Sequence, residues 1–173
     1  SEDRGPDPNL HMPTSTVEDY LKRIYLEQER NNGEVVSPGR IAQALGVAPG
    51  TVTAMMKTLT DSGLVTYEPY AGVRLTSAGR KLAAHVLRRH RLVELFLVRI
   101  MGMDWSEVHQ DAEVLEHAIS ERLLDRIDEM LGHPSVDPHG DPIPTPTGQL
   151  PEEERESLLT CRTGVPLQVA RVT

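Results

Sequence analysis

Apolar residues recur at helical spacing from Thr16 onward, at Val17, Leu21, Ile24 and Tyr25, with Leu26 less regularly placed. Thr16 is the expected N-cap, and Glu18 and Asp19 fall in the first turn, where carboxylates favour the helix dipole. Asn31-Asn32-Gly33 ends this helix. A second, short helix is signalled by Ser37 as cap and Pro38 at its first position, continues through Ile41, Ala42 and Leu45, and stops at Gly46. A third, from Pro49 to Asp61, sets Val52, Met55, Met56 and Leu59 on one side and Thr51, Thr53, Lys57 and Thr58 elsewhere, before Gly63. Two short helices joined by a tight turn predict a helix-turn-helix. Residues 64–76 then read as strand, Gly/Pro-containing turn and strand, a β wing.

The second half of the chain is helical in pattern. Ser77 is the expected cap of a long helix carrying Leu82, Val86, Val93, Leu97 and Ile100 toward Gly102. Asp104 is the expected cap of a helix reaching about His117, and Ser120 of one reaching about Leu131. Six prolines between 132 and 151 exclude further helix, so this stretch is expected to be a linker or irregular wrap. The tail 158–173 alternates like a strand. Residues 1–13 have no hydrophobic period and are set aside as disordered or added residues preceding the fold. The expected organisation is therefore mainly α, with a winged helix-turn-helix at 14–76, a helical domain at 77–144, and a linker with a short strand-like tail at 145–173.

Composition narrows the possibilities. Of 173 residues, 38% are apolar and 3% aromatic, with a single cysteine, Cys161. One cysteine excludes a disulfide framework, and no apolar run approaches the roughly 18 residues that a membrane span needs. A cytoplasmic protein with no membrane association is expected. Few aromatics argue against stacking platforms for single-stranded nucleic acid.

With 18 basic residues against 26 acidic ones, the net charge of −8 argues at first against DNA binding. The charge is segregated, however. Between residues 34 and 81, Arg40, Lys57, Arg74, Arg80 and Lys81 outnumber Glu34, Asp61 and Glu68, and Arg88, Arg89, Arg91 and Arg99 follow. This half can face phosphate. From 104 to 130, nine carboxylates are opposed only by Arg122 and Arg126, a crowding that a cation would relieve.

The third helix opens with small or hydroxylated residues, Ala48, Pro49, Gly50, Thr51 and Thr53, with Lys57 one turn on. Small residues admit the DNA backbone, Thr and Lys bind phosphate oxygens, and an Ala or Thr methyl can touch thymine in the major groove. Base-specific donors are sparse there, so shape readout is expected to contribute. In the wing, Tyr67, Tyr70 and Arg74 are candidates to clamp the flanking backbone. The alternative is a winged helix serving as a packing or protein-interaction unit.

His109, Glu113, Glu116 and His117 are spaced i, i+4, i+7 and i+8, which at about 100° per residue places them on one helical stripe. The neighbouring apolar stripe is Trp105, Val108, Ala112, Leu115 and Ile119. The long preceding helix offers His90 and Glu94 one turn apart. Imidazole with carboxylate suits Mn²⁺, Fe²⁺, Co²⁺ or Zn²⁺, and no thiolate is placed to select softer ions. The alternative is a solvated acidic face with incidental histidines. His11, His85, His133 and His139 are read as surface or packing residues.

Five blocks, in order, resemble the diphtheria toxin repressor family of metal-dependent regulators over about residues 14–144. They are Thr16-Val17-Glu18-Asp19-Tyr20-Leu21-Lys22-Arg23-Ile24-Tyr25, Gly72-Val73-Arg74-Leu75-Thr76, Arg89-His90-Arg91-Leu92-Val93-Glu94, the run from His109 to His117, and Gly140-Asp141-Pro142-Ile143-Pro144. The resemblance implies a homodimer that binds double-stranded DNA at a palindromic operator, with a helical dimerisation and metal-binding domain and often a third, SH3-like domain. It implies that Asp19, Glu113, Glu116 and His117 form the primary metal site, and His90, Glu94 and His109 the ancillary one.

Iron-sensing members carry Met and Cys where this chain has Asp19 and Glu113. Hard oxygens there resemble the manganese-sensing branch, with Fe²⁺ the alternative and Co²⁺ or Zn²⁺ able to substitute. Lys22 departs from those manganese sensors that place a glutamate ligand at this position. The tail 158–173 resembles only the first strand of the SH3-like domain, which is expected to be truncated or absent.

The expected function is a metal-dependent repressor of metal-homeostasis genes, and not an enzyme. A metallohydrolase using Glu113 or Glu116 as base is disfavoured, because His-Glu-x-x-His and its inverse are absent and no oxyanion motif appears. A winged-helix regulator of a small organic ligand is the other alternative.

Overall fold

The computed structural model describes residues 14–68 and 70–150. The residues set aside at 1–13, Cys161 and the strand-like tail expected at 158–173 lie outside the described residues. The chain divides into two compact units, Ser1–Ala83 and Ala84–Thr173.

The first unit holds α1 (Ser15–Arg30), α2 (Pro38–Leu45), α3 (Pro49–Asp61), β1 (Val65–Glu68), β2 (Gly72–Leu75) and the start of α4 (Ser77–Arg99). The cap of α1 is Thr14, whose Oγ1 accepts from the Val17 amide at 3.3 Å, and not Thr16. Both threonines satisfy the capping preference; the helix takes the earlier one and gains half a turn. The cap and terminator expected for α2 hold: Ser37 Oγ accepts from the Arg40 amide, and Gly46 adopts φ 66°. Helix α3 buries Val52, Met56 and Leu59, with Met55 only half-buried.

The wing is an antiparallel pair in register Val65–Leu75 and Glu68–Gly72. Val36 pairs with Val73 through two backbone hydrogen bonds of 2.8 and 2.9 Å, adding a bridge that extends the sheet. At Gly72, φ 147°, a Cβ would lie 2.3 Å from the Val36 carbonyl oxygen, so only glycine fits. The buried Gln28 joins these parts: its Oε1 accepts from the Leu75 amide at 3.0 Å and its Nε2 donates to the Gly33 carbonyl at 3.3 Å. Leu21, Ile24, Ile41, Val52, Leu59, Val65 and Val73 supply fully buried apolar side chains.

Thr76, rather than Ser77, caps α4, its Oγ1 accepting from the Gly79 amide at 3.1 Å. The Thr76 backbone already pairs with Leu64, which places it one residue outside the helix.

In the second unit α4 continues, followed by α5 (Val108–Leu115) and α6 (Glu121–Met130), the latter capped by Ser120 as expected. Leu92 and Leu95 of α4 pack with Leu124 and Ile127 of α6 and with Ile143, and Phe96, Ile119 and Leu131 border them. Val93 and Leu97 pack with Val108 and Ala112 of α5, and Ile119 borders this group as well. The expected apolar stripe of α5 is narrower than its spacing suggests, because Trp105 and Leu115 are exposed. Asp104 does not cap α5 directly. Its Oδ1 accepts from the Ser106 amide and hydroxyl at 2.8 and 2.6 Å, closing a turn that delays the helix to Val108.

The proline-rich stretch is an ordered wrap. Prolines cannot donate, so their carbonyls need partners from outside the segment. Arg88 Nη1 donates to the Pro144 carbonyl at 3.0 Å, and Arg91 Nη1 donates to the Pro142 carbonyl. Asp137 Oδ1 accepts from the amides of His139 and Asp141 at 2.8 and 2.9 Å. Burial pushes the Asp137 carboxyl above the usual range, those hydrogen bonds and Arg91 opposing it.

Candidate metal centre and nucleic-acid interface

One turn of α4 separates His90 from Glu94, and both face inward, 5% and 2% exposed. Their partner from α5 is His109. Glu94 Oε1 lies 3.1 Å from His90 Nε2 and 3.0 Å from His109 Nδ1, and the two imidazole nitrogens are 3.1 Å apart. The rings meet edge to face at 4.8 Å. Burial alone would raise the Glu94 carboxyl, but hydrogen bonds and charge from His90 and His109 outweigh it and hold it down at about 2.

The other edge of His90 points elsewhere: Nδ1 lies 2.5 Å from Oε2 of the fully buried Glu116. Glu116 Oε1 in turn lies 3.4 Å from His117 Nε2. In a neutral His90 ring, an Nδ1–H donated to Glu116 would leave the Nε2 lone pair for a cation on the side shared with Glu94 and His109. The residues assigned from the resemblance to two sites are thus linked through one imidazole.

Helix α5 ends at Leu115, but Glu116 keeps helical backbone angles, φ −58° and ψ −28°, and its amide still donates to the Ala112 carbonyl at 2.9 Å; His117 follows in the turn. Glu113, expected beside Glu116 and His117, has its exposed carboxylate 3.4 Å from His109 Nε2. Asp19 sits half-buried on α1, in the first unit.

The donor set fits a divalent ion. Ligands about 2.1 Å from one ion stand about 3 Å from each other, the separation found among His90, Glu94 and His109. Two nitrogens and a carboxylate oxygen suit first-row transition ions. Buried Glu94 and Glu116 retain their charge most favourably beside a cation.

On the first unit, Ala48, Pro49, Gly50, Thr51, Thr53 and Lys57 are all exposed along α3. Thr53 donates its hydroxyl to the Pro49 carbonyl at 3.2 Å, leaving its methyl rather than a donor for a partner. Arg74 is engaged within the protein: Nη1 donates to the Gly33 carbonyl, and Glu68 and Glu34 lie at 3.8 and 4.0 Å. Tyr67 and Tyr70 are exposed on the wing, Tyr70 with φ 64°. Sequence reading missed Gln28 and Glu27, whose partners Leu75 and Arg40 lie in other elements and leave no periodic trace.

Residues 12–73 match the N-terminal DNA-binding domain of the iron-dependent repressors, and residues 76–145 match their metal-binding and dimerisation domain. The chain belongs to the iron-dependent repressor family. The resemblance seen in the five sequence blocks is borne out, and so is the mainly helical, winged fold.

Within this family, the chain is 39% identical over 114 residues to an uncharacterized HTH-type transcriptional regulator of Methanocaldococcus jannaschii, covering 66% of this chain and 90% of that one. It is 41% identical over 120 residues to the HTH-type transcriptional regulator MntR of Shouchella clausii, covering 69% and 82%. A solved structure of a manganese-dependent transcriptional repressor in complex with manganese superposes with a TM-score of 0.76 at 43% identity, covering 91% of this chain and 72% of that one. As a member of this family, the chain is a metal-responsive transcriptional regulator with DNA as partner. No helix among the described residues is long and apolar enough to cross a membrane.

Proposed function

We propose that the protein is a Mn²⁺-activated repressor of metal-homeostasis genes, acting in the cytoplasm as a homodimer on a palindromic operator. The observation that carries this is the cluster joining the buried His90, Glu94 and Glu116 with the more exposed His109, whose donors match a hard divalent ion in a domain of the metal-binding family. Asp19, Glu113, Glu116 and His117 form one ligand set and His90, Glu94 and His109 the other. The oxygens of Asp19 and Glu113 favour Mn²⁺ over Fe²⁺, and relatives named for manganese support that choice. Co²⁺ and Zn²⁺ can occupy the same donors.

A bound divalent cation supplies the positive charge at which carboxylates and imidazoles from both domains can converge. Asp19 belongs to the DNA-binding domain, and Glu116 and His117 to the dimerisation domain. If Asp19, Glu116 and His117 held one ion together, that ligation would fix the angle between the domains and, in a dimer, the spacing of the two α3 helices. Half-sites one turn, about 34 Å, apart are read only at the correct spacing. His90 holds Glu116 in place through Nδ1 while presenting Nε2 to the second ligand set.

The test is binding of a labelled duplex, recovered from a random pool by the wild-type chain in MnCl₂. Affinity is compared with Mn²⁺, with chelator, and for Glu113→Ala in Mn²⁺. Binding should require the ion and weaken in the variant; equal affinity in all three defeats the proposal.

A further inference from the structure

Beside the helix-turn-helix lies an ion cluster to which the site above assigns no role. Glu27, near the end of α1, is buried, its side chain 4% exposed. Its Oε2 accepts from Arg40 Nε at 2.7 Å and its Oε1 from Arg30 Nη1 at 3.2 Å. Both arginine side chains are more than half exposed, at 57% and 64%. One buried carboxylate therefore orients two surface guanidiniums, and the group keeps a net positive charge.

Arg40 also lines an open groove of about 430 Å³ with Glu27, Ser37, Gln43 and Ala44. Ser37 Oγ accepts from the Arg40 amide, so its own hydrogen can still be donated. Guanidinium, hydroxyl and carboxamide donors on the first helix of a helix-turn-helix suit the phosphate oxygens of the strand that this helix crosses.

We propose that Glu27 is a positioning residue for DNA-backbone recognition: it holds Arg40, braced on the opposite oxygen by Arg30, so that Arg40 with Ser37 and Gln43 takes a phosphate beside the recognition helix. A guanidinium fixed by a buried partner loses less rotamer freedom on meeting DNA than a free one. The inference rests on the DNA-binding reading above.

The sign of one substitution separates positioning from simple charge. Glu27→Gln keeps volume and removes a negative charge near DNA, which by charge alone tightens binding. If Glu27 positions Arg40, binding instead weakens. The assay is anisotropy of the selected duplex with full-length, Mn²⁺-loaded protein across a salt series.

Arg40→Gln, at an exposed site, should bind roughly tenfold more weakly. Its plot of log K against log salt should be shallower by about 0.9. Glu27→Gln should move both quantities in the same direction, with an unchanged thermal response to Mn²⁺. An unchanged salt slope in Arg40→Gln, or equal or tighter binding by a folded Glu27→Gln, overturns this inference alone. A wild-type chain that binds no duplex overturns it together with the DNA-binding reading.

Discussion

Replacing His109 with Ala separates metal ligation from fold stability, because its side chain is 58% exposed while its partner Glu94 is 2% exposed. In the metal-free protein the substitution removes a partly solvated contact with Glu94, which costs within about 1 kcal/mol. For a chain of this size that is roughly 2–4 °C in Tm. With Mn²⁺ at 100 times its dissociation constant, the wild-type gain is about 2.7 kcal/mol. Losing one of three donors and weakening the ion about 100-fold leaves only about 0.4 kcal/mol at the same Mn²⁺ concentration. The two responses should therefore differ by about 2 kcal/mol, or several degrees. Differential scanning fluorimetry of chelator-stripped protein, titrated with MnCl₂, measures both. Equal Mn²⁺-dependent shifts in wild type and variant would refute the assignment of His109 to a metal site.

Other outcomes follow from the same geometry. Glu94 has its pKa depressed from 4.5 to about 2, so its stabilising contribution is present above its unfolded value and disappears as pH falls through the folded one. In metal-free protein, the stability gap between wild type and Glu94→Gln should thus narrow from pH 5 to about pH 2 in urea melts. Ile143→Ala should cost about 2–5 kcal/mol by chemical denaturation, since Ile143 closes the Leu92, Leu95, Leu124 and Ile127 cluster. A cost under about 0.5 kcal/mol, the level of an ordinary surface change, would mean the proline-rich wrap is not seated there. Gln28→Ala should cost about 1–3 kcal/mol and speed amide exchange at Leu75. Unchanged exchange would remove Gln28 from the wing's support.

The elements legible in the sequence are those specified by local chemistry. Ser37-Pro38 and Gly46 bracket α2, Ser120 caps α6, and His90 and Glu94 share a face because they are four residues apart on one helix. What escaped was either ambiguous by local rules or dependent on partners distant in the chain. Thr14 and Thr16 are equivalent as caps by local rules. The end of α5 at Leu115 has no glycine or proline to mark it, so the expected helix ran on to about His117. The proline-rich stretch read as either a linker or an irregular wrap, and the choice could not be made locally because the guanidiniums that satisfy its carbonyls, Arg88 and Arg91, lie more than fifty residues earlier. Arg74 read as a candidate clamp on the DNA backbone; its bond to the Gly33 carbonyl, across forty-one residues, left no local sign.

The central claim is that metal and DNA select the same state of the protein. Linkage then requires DNA to tighten Mn²⁺ binding by the factor with which Mn²⁺ tightens DNA binding, a coupling of roughly 1–3 kcal/mol per site. Isothermal calorimetry of MnCl₂ into the protein, alone and saturated with the selected duplex, measures this directly. The Mn²⁺ dissociation constant should be roughly 5–150-fold lower with DNA present; the same constant with and without DNA would rule the coupling out.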